Sequence, residues 1–314
     1  MKKGKIVVKV PHRISGFFEI VDQVSQEPEK IGSRGAGFNI NAIGTTEIRV
    51  QELEKNQESK CIIKINNEEL NQKAETSYFI FNSIRHLIKN PVEIHVNHSF
   101  ELPVGCGYGA SGSGALGMIY GLNEILKLNL DQKEKGRIAH VAEVINKTGL
   151  GTVCGQLAGG LCMLKEPGYP CVQEMIQIPR DIEVICGSFG MIHTKSILTD
   201  PVLNVKIKEA GKNALKKLIQ APSIETFAKV SKEFVEETGI LDILHLIKTK
   251  ELMNRLNKIK IIGASMNQLG RSIYAICKKK DSSIVNEVFE TYKPEITLIK
   301  TSINHKGLQI IKTE

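Results

Sequence analysis

The sequence predicts an α+β fold in two domains, residues 1–179 and 180–314. Three observations carry that expectation. Short alternating strand patterns are interspersed with amphipathic helical ones. A glycine-rich turn runs straight into a helix at residues 102–128. After Pro179 the texture changes, and three helical segments follow in succession.

The elements follow in order. Lys5–Val10 reads as a strand stopped by Pro11, whose ring removes a backbone donor. Phe38–Val50, Cys61–Ile65 and Val92–Asn97 read as further strands, and Lys73–Lys89 as a helix ended before Asn90-Pro91. Leu116, Ile119, Tyr120, Asn123 and Leu126 keep helical spacing behind the glycine turn. In the next helix Asp131 is the expected N-cap, with Glu134 three residues on as a capping box requires, and the helix stops near Gly149 and Gly151. Beyond Pro179, Glu183–Gly187 reads as a strand. Val202–Ile219, Ser223–Glu237 and Asp242–Asn257 read as helices. Lys260–Ile262, Ser272–Cys277 and Ile296–Ile299 read as strands, with a helix near Ser283–Tyr292.

A net charge of +8 admits nucleic acid, an acidic membrane face or small anions as partners. The basic residues are scattered, however, and aromatics are only 5%, with no interleaving that would build a stacking platform, so a solvated surface is expected instead of a nucleic-acid footprint. No apolar run approaches the length that spans a bilayer, and Met1–Val10 is too polar for a signal peptide. Cys61, Cys106, Cys154, Cys162, Cys171, Cys186 and Cys277 show no C-x-x-C spacing and are expected as buried free thiols in a cytoplasmic protein.

The chemistry concentrates in Leu102–Gly117. Glycines here let the backbone approach a ligand and adopt positive φ, while the helix behind them offers free N–H groups and its dipole to an anion. Ser111 and Ser113 add hydroxyls that can donate to phosphate or ligate Mg²⁺. The segment is a phosphate cradle, although it is neither a Walker A loop nor a dinucleotide-binding fingerprint. On the following helix His140 and Glu143 share a face flanked by Val141, Ala142 and Val144. On spacing alone they read as a satisfied core histidine and an exposed Glu143–Lys147 pair; if buried, Glu143 needs a partner, and a phosphate-bound Mg²⁺ is one.

Five segments occur in order: Val10–Phe18, Gly32-Ser-Arg-Gly-Ala-Gly37, Leu102–Leu116, Ala139-His-Val-Ala-Glu143 with Thr148-Gly-Leu-Gly151, and Gly263–Gly270. Together with Thr194–Asp200 they resemble the GHMP kinase superfamily and, within it, the archaeal pantoate kinases. The resemblance implies an N-terminal domain like ribosomal protein S5 domain 2 and a C-terminal ferredoxin-like domain. It implies ATP and Mg²⁺ as cofactors, phosphorylation of pantoate to 4-phosphopantoate for coenzyme A synthesis, and a homodimer. Carried onto this chain, it places Pro103, Gly105, Gly107, Gly109, Ala110, Ser111, Gly112 and Ser113 around the triphosphate. A loop serine (Ser111 or Ser113) and Glu143 then hold Mg²⁺, and Ser33, Arg34, His140 and Thr194 meet pantoate.

Two departures stand out. Relatives read Gly-Leu-Gly-Asp-Val after the acidic helix, and the aspartate is their expected base; here Thr152 occupies that catalytic position. Relatives also carry an arginine shortly after Gly159-Gly160, where this chain has Met163-Leu164-Lys165 and only Lys165 to supply charge. Because phosphoryl transfer relies on positioning and charge neutralisation, a working kinase is expected without the base. The competing expectations are a weakly active relative, a kinase of homoserine, mevalonate or a sugar, and an RNA-binding S5-like protein. His12 and Arg13 match the first superfamily motif and so face the cleft by resemblance, whereas a lone strand-end arginine reads as a surface residue.

Overall fold

The computed structural model describes residues 4–22, 27–192 and 194–313, the side chains of Thr194, Ser196, Lys312 and Thr313 excepted. The chain runs β1 (Gly4–Val21), β2 (Gly32–Glu52), β3 (Lys60–Ile65), β4 (Glu68–Glu69), α1 (Glu75–Ile84), β5 (Val92–Phe100), α2 (Ala110–Leu126), α3 (Gln132–Asn146), α4 (Thr152–Ala158), β6 (Leu161–Leu164) and β7 (Gln173–Ile176). It continues β8 (Ile182–Ser188), α5 (Thr194–Thr199), α6 (Pro201–Gln220), α7 (Ile224–Thr238), α8 (Ile240–Ile243), α9 (Ile247–Leu256), β9 (Gly263–Asn267), β10 (Ser272–Lys278), α10 (Ser282–Glu290), β11 (Thr297–Thr301) and β12 (Gln309–Thr313).

Two sheets organise these elements. The first has the order β12-β1-β2-β5-β3-β4, with β6 added to β2 and β7 to β6; the second has the order β11-β8-β10-β9. Strand β12 lies beyond residue 180 in sequence yet closes the edge of the first sheet on β1. The hairpin β1–β2 is long, and its two halves face different cores. Ile6, Val8 and Ile48 pack with Leu116, Ile119 and Leu122 of α2. Phe17, Phe18, Phe38 and Ile40 pack instead with Phe227 and Phe234 of α7 and Tyr274 of β10. Phe38 meets both Phe227 and Tyr274 edge-on, with ring centroids 5.7 Å apart in each case. Burying an aromatic ring in this way contributes about 1.5–3 kcal/mol.

Several boundaries differ from the sequence expectations for identifiable reasons. Pro11 does not end β1: the strand passes through it by a register shift between Pro11 and Arg13, where a residue without an N–H is tolerated. The helix expected over Asp242–Asn257 splits into α8 and α9 around His245, which adopts φ 53°. Lys260–Ile262 lies ahead of β9 and forms no strand. The capping box of α3 is present in both directions, Asp131 accepting from Glu134 N–H and Glu134 from Asp131 N–H. The free-thiol expectation is corrected at two positions: Cys154 and Cys171 form a disulfide with Cα atoms 5.5 Å apart, while the other five cysteines are free and buried. Their separation of 17 residues carried no motif, and only the return of the chain after β6 brings them together.

Because Phe38 joins the first sheet to the second, Phe38→Ala is expected to lower stability by about 3–5 kcal/mol, with both sheets still unfolding in one urea transition.

Candidate functional site

The turn between β5 and α2 folds as the glycines dictate. Gly105, Gly107 and Gly109 take φ of 78°, 85° and 69°, values that disfavour any side chain. The carbonyls of this turn are engaged by the rest of the protein. Ile192 N–H donates to Gly105 O at 2.9 Å, Arg13 N–H to Tyr108 O at 3.0 Å, and Ser272 Oγ to Cys106 O at 2.9 Å. Gln156 Nε2 donates to both Gly109 O and Pro11 O at 3.0 Å. The turn is thereby fixed while the first-turn amides of α2 keep no intrahelical acceptor, the arrangement that receives an anion. Beside it lies a cavity of about 330 Å³, lined by Gly105, Gly107, Tyr108, Gly109, Ala110 and Ser111 and, opposite, by Ser33, Arg34 and the segment 148–152.

Glu143 lies three residues before the end of α3 and is only 1% exposed. Its Oε1 accepts a 2.6 Å hydrogen bond from Ser111 Oγ, which also lies 3.2 Å from Thr148 O. Gly149 packs directly on the carboxylate, where a methyl group would sit 2.5 Å from Oε1. Burial pushes the carboxyl up to about 7, against the opposing pull of Ser111 and the Val153 backbone N–H. Among the described residues it takes part in no ion pair, so the exposed Glu143–Lys147 pair does not form. A buried carboxylate and a hydroxyl oxygen 2.6 Å apart match part of the oxygen donor set of a hard divalent cation, although Glu143 is not itself among the residues lining the cavity.

The other sequence-predicted residues divide. Ser33 is buried, lines the cavity and approaches Gly151. Arg34 lines it too, but its guanidinium is held bidentately by Glu19, Nε to Oε2 at 3.0 Å and Nη2 to Oε1 at 2.8 Å. Thr152 opens α4 with its methyl toward the turn, 2.8 Å from where a Cβ on Gly109 would stand. Ser113 is turned away: its Oγ donates to Val10 O at 3.3 Å, which leaves Ser111 as the hydroxyl facing Glu143. Pro103 and Gly112 do not line the cavity either. His140 is the core histidine that its spacing suggested; its Nε2 donates to Ile31 O at 2.9 Å and so supports the entrance to β2. Thr194 starts α5, and its side chain lies outside the described residues. Lys165 is exposed and paired with Glu174 at 3.0 Å, away from the cavity, so it does not replace the relatives' arginine.

Of the two residues that the resemblance to the first superfamily motif turned toward the cleft, Arg13 is 3% exposed and lines the cavity, against the surface reading of a lone strand-end arginine, whereas His12 is buried, lies 3.0 Å from Tyr108 O through Nδ1 and does not line it. Gln156 and Glu19 also belong to the site and escaped notice. No motif marks either one, because each acts on a residue distant in sequence.

A family model described as GHMP kinases N terminal domain matches residues 75–160. The pantoate kinase of Methanocaldococcus jannaschii is 31% identical over 296 residues, covering 93% of this chain and 97% of that protein. The pantoate kinase of Thermococcus kodakarensis is 30% identical over 279 residues, 87% of this chain and 88% of that protein. Among solved structures, one described as a phosphotransferase related to the CoA biosynthesis pathway superposes with a TM-score of 0.85 at 26% identity, covering 98% of this chain and 99% of that one. Homoserine kinase from Cytophaga hutchinsonii, at 15% identity and a TM-score of 0.70 over 98% and 97% of the chains, is similar in fold.

The raised Glu143 carboxyl has a measurable consequence. Its folded value near 7 lies above the ordinary 4.5, so the folded state holds a proton that the unfolded state has lost between these values. Its contribution is therefore favourable at low pH and falls as pH rises from about 4.5 to 7, by about 3 kcal/mol in total. His12 and His98, pushed down to about 4 by burial, act in the opposite sense below 6.5. The comparison that isolates Glu143 is wild type against Glu143→Gln. Urea denaturation without divalent ions is expected to show the variant gaining stability relative to wild type as pH rises from 5 to 8.

Proposed function

This chain belongs to the pantoate kinase family of the GHMP kinases and phosphorylates pantoate to 4-phosphopantoate in coenzyme A biosynthesis, and we propose how its residues do so. The observation that carries the proposal is the buried Ser111–Glu143 contact at the mouth of α2. The turn at Gly105–Ser111 receives the triphosphate of ATP through its backbone amides. Ser111 and Glu143 would hold Mg²⁺, which when bound would neutralise charge on the phosphates and favour the ionised form of Glu143. Ser33 lies across the cavity as a contact for pantoate, and His140 sets the position of Ser33 through Ile31.

The reaction forms a bond from the terminal hydroxyl oxygen of pantoate to the γ-phosphorus and breaks the bond from that phosphorus to the ADP oxygen. Thr152 cannot accept the proton near neutral pH, and among the described residues the only carboxylate lining the cavity is Glu75, exposed at the start of α1. The hydroxyl proton therefore leaves late, to a phosphoryl oxygen or to water, as a loose transition state allows. A homodimer and a cytoplasmic location complete this reading; no helix among the described residues is long and apolar enough to cross a membrane.

Two outcomes test it in an assay of pantoate-dependent ADP formation. Glu143→Gln is expected to lose at least about 100-fold in kcat, whereas Thr152→Ala stays within about 3-fold of wild type. Equal losses in the two variants would contradict the assignment of roles, and absence of pantoate-dependent turnover in wild type would contradict the activity.

A further inference from the structure

Of Met163, Leu164 and Lys165, which stand where relatives carry an arginine, only Leu164 lines the cavity. Met163 is buried in the core that the β1–β2 hairpin shares with α7, and Lys165 is held by Glu174. The wall of this chain is therefore apolar at Leu164. Such a side chain offers nothing to an anion, but a methyl group that leaves water to pack on it is favoured.

The fold holds Leu164 from several sides. It ends β6 opposite Gly35 of β2, and Gly35, which has no side chain, lines the cavity beside it as bare backbone. The space for a side chain at Gly35 is taken by β1, since a methyl group there would stand 2.4 Å from Phe17 O. Leu164 packs with Cys154 and Cys162, and Tyr169 and the disulfide partner Cys171 lie at the edge of the same cluster. Gly151 brings the leucine and Ser33 together: a methyl group at Gly151 would stand 3.0 Å from Leu164 Cδ1 and 2.5 Å from Ser33 Oγ. Leu150 extends the wall. It lines the cavity half-buried, and its carbonyl accepts Ser33 N–H at 3.1 Å. The residue after Gly151 is Thr152, whose methyl packs against Gly109 of the phosphate turn. Two leucines and one hydroxyl thus gather beside the segment that leads to that turn.

Pantoate carries a matching pattern. Its reacting hydroxymethyl group is attached to a carbon that bears two methyl groups, and the next carbon bears a hydroxyl. We propose that Leu164 and Leu150 seat the two methyl groups of pantoate beside Ser33, and that Leu164 thereby determines specificity for a branched acceptor over the unbranched acid. The proposal rests on the kinase reading above and names the part of the substrate that β6 recognises. The substrate turns its quaternary carbon toward β6, and the adjacent hydroxymethyl group is directed toward the phosphate turn.

The test compares pantoate with 2,4-dihydroxybutanoate, the same chain without the two methyl groups, as acceptors for wild type, Leu164→Ala and Leu150→Ala. A missing methyl in an apolar pocket is worth about 10-fold or more in kcat/KM, so wild type is expected to prefer pantoate at least about 100-fold. Leu164→Ala is expected to lower that preference at least about 10-fold, mainly through the KM for pantoate. General damage to the site slows both acids alike, so the ratio reads the methyl contact itself. A preference in Leu164→Ala within about 3-fold of wild type would overturn the proposal, as would a wild type that uses the two acids equally well. Should Leu164→Ala not fold, Leu150→Ala at its half-buried position decides by the same ratio. Calorimetric titration of both acids in the presence of ADP and Mg²⁺ reads the preference as affinity. Wild type that binds pantoate more tightly than the unbranched acid yet turns over neither contradicts the kinase reading and supports the methyl seat, whereas wild type that binds neither acid overturns the seat.

Discussion

The contact on which the site depends is the hydrogen bond from Ser111 Oγ, at the cavity wall, to Oε1 of the buried Glu143. A carboxylate in that position is costly by itself: desolvation outweighs the one hydroxyl and one backbone amide that it accepts from and pushes the carboxyl up to about 7. The folded protein therefore carries a carboxyl whose charged form burial disfavours, and the same burial would strengthen its attraction for a cation in the proposed role. Ser111 belongs to the glycine turn and Glu143 to α3, so in the proposed reading a cation held by both would link that turn to that helix.

The surroundings explain why the contact can be held so closely. Gly149 admits the carboxylate at a distance no other residue would permit, and Gln156 ties the phosphate turn to β1 by donating to Gly109 O and Pro11 O at once. Beneath them the hairpin β1–β2 serves two cores, one under α2 and one against α7 and β10. The cavity opens where those cores part. A displacement of either sheet would move Arg13 and the turn together, because Arg13 N–H bonds Tyr108 O.

What could be read in the sequence was local. The glycine turn, the helix behind it and the capping box at Asp131 are set by residues within a few positions of one another, and all three stand in the structure. The choice between Ser111 and Ser113 was not legible, because it depends on how α2 rotates against β1, which turns Ser113 toward Val10 O. Spacing suggested that Glu143 was exposed, and tertiary packing of the 148–153 segment buries it. Read by itself, Arg13 looked like a strand-end surface residue, and only its match to the first superfamily motif turned it toward the cleft, because nothing near it announces the bend at Pro11. The Cys154–Cys171 bond and the Arg34–Glu19 pair join residues whose proximity only the folded chain creates.

The central claim is that a buried carboxylate and a row of helix amides make one site that recognises nucleotide and divalent ion together. Its most direct test is calorimetric titration of ATP into wild type and into Glu143→Gln, each with Mg²⁺ and with EDTA. The account predicts that Mg²⁺ tightens binding by wild type at least about 10-fold beyond its effect on the variant, or about 1.4 kcal/mol of coupling. An equal effect of Mg²⁺ on both proteins, or no nucleotide binding by folded wild type, would contradict it.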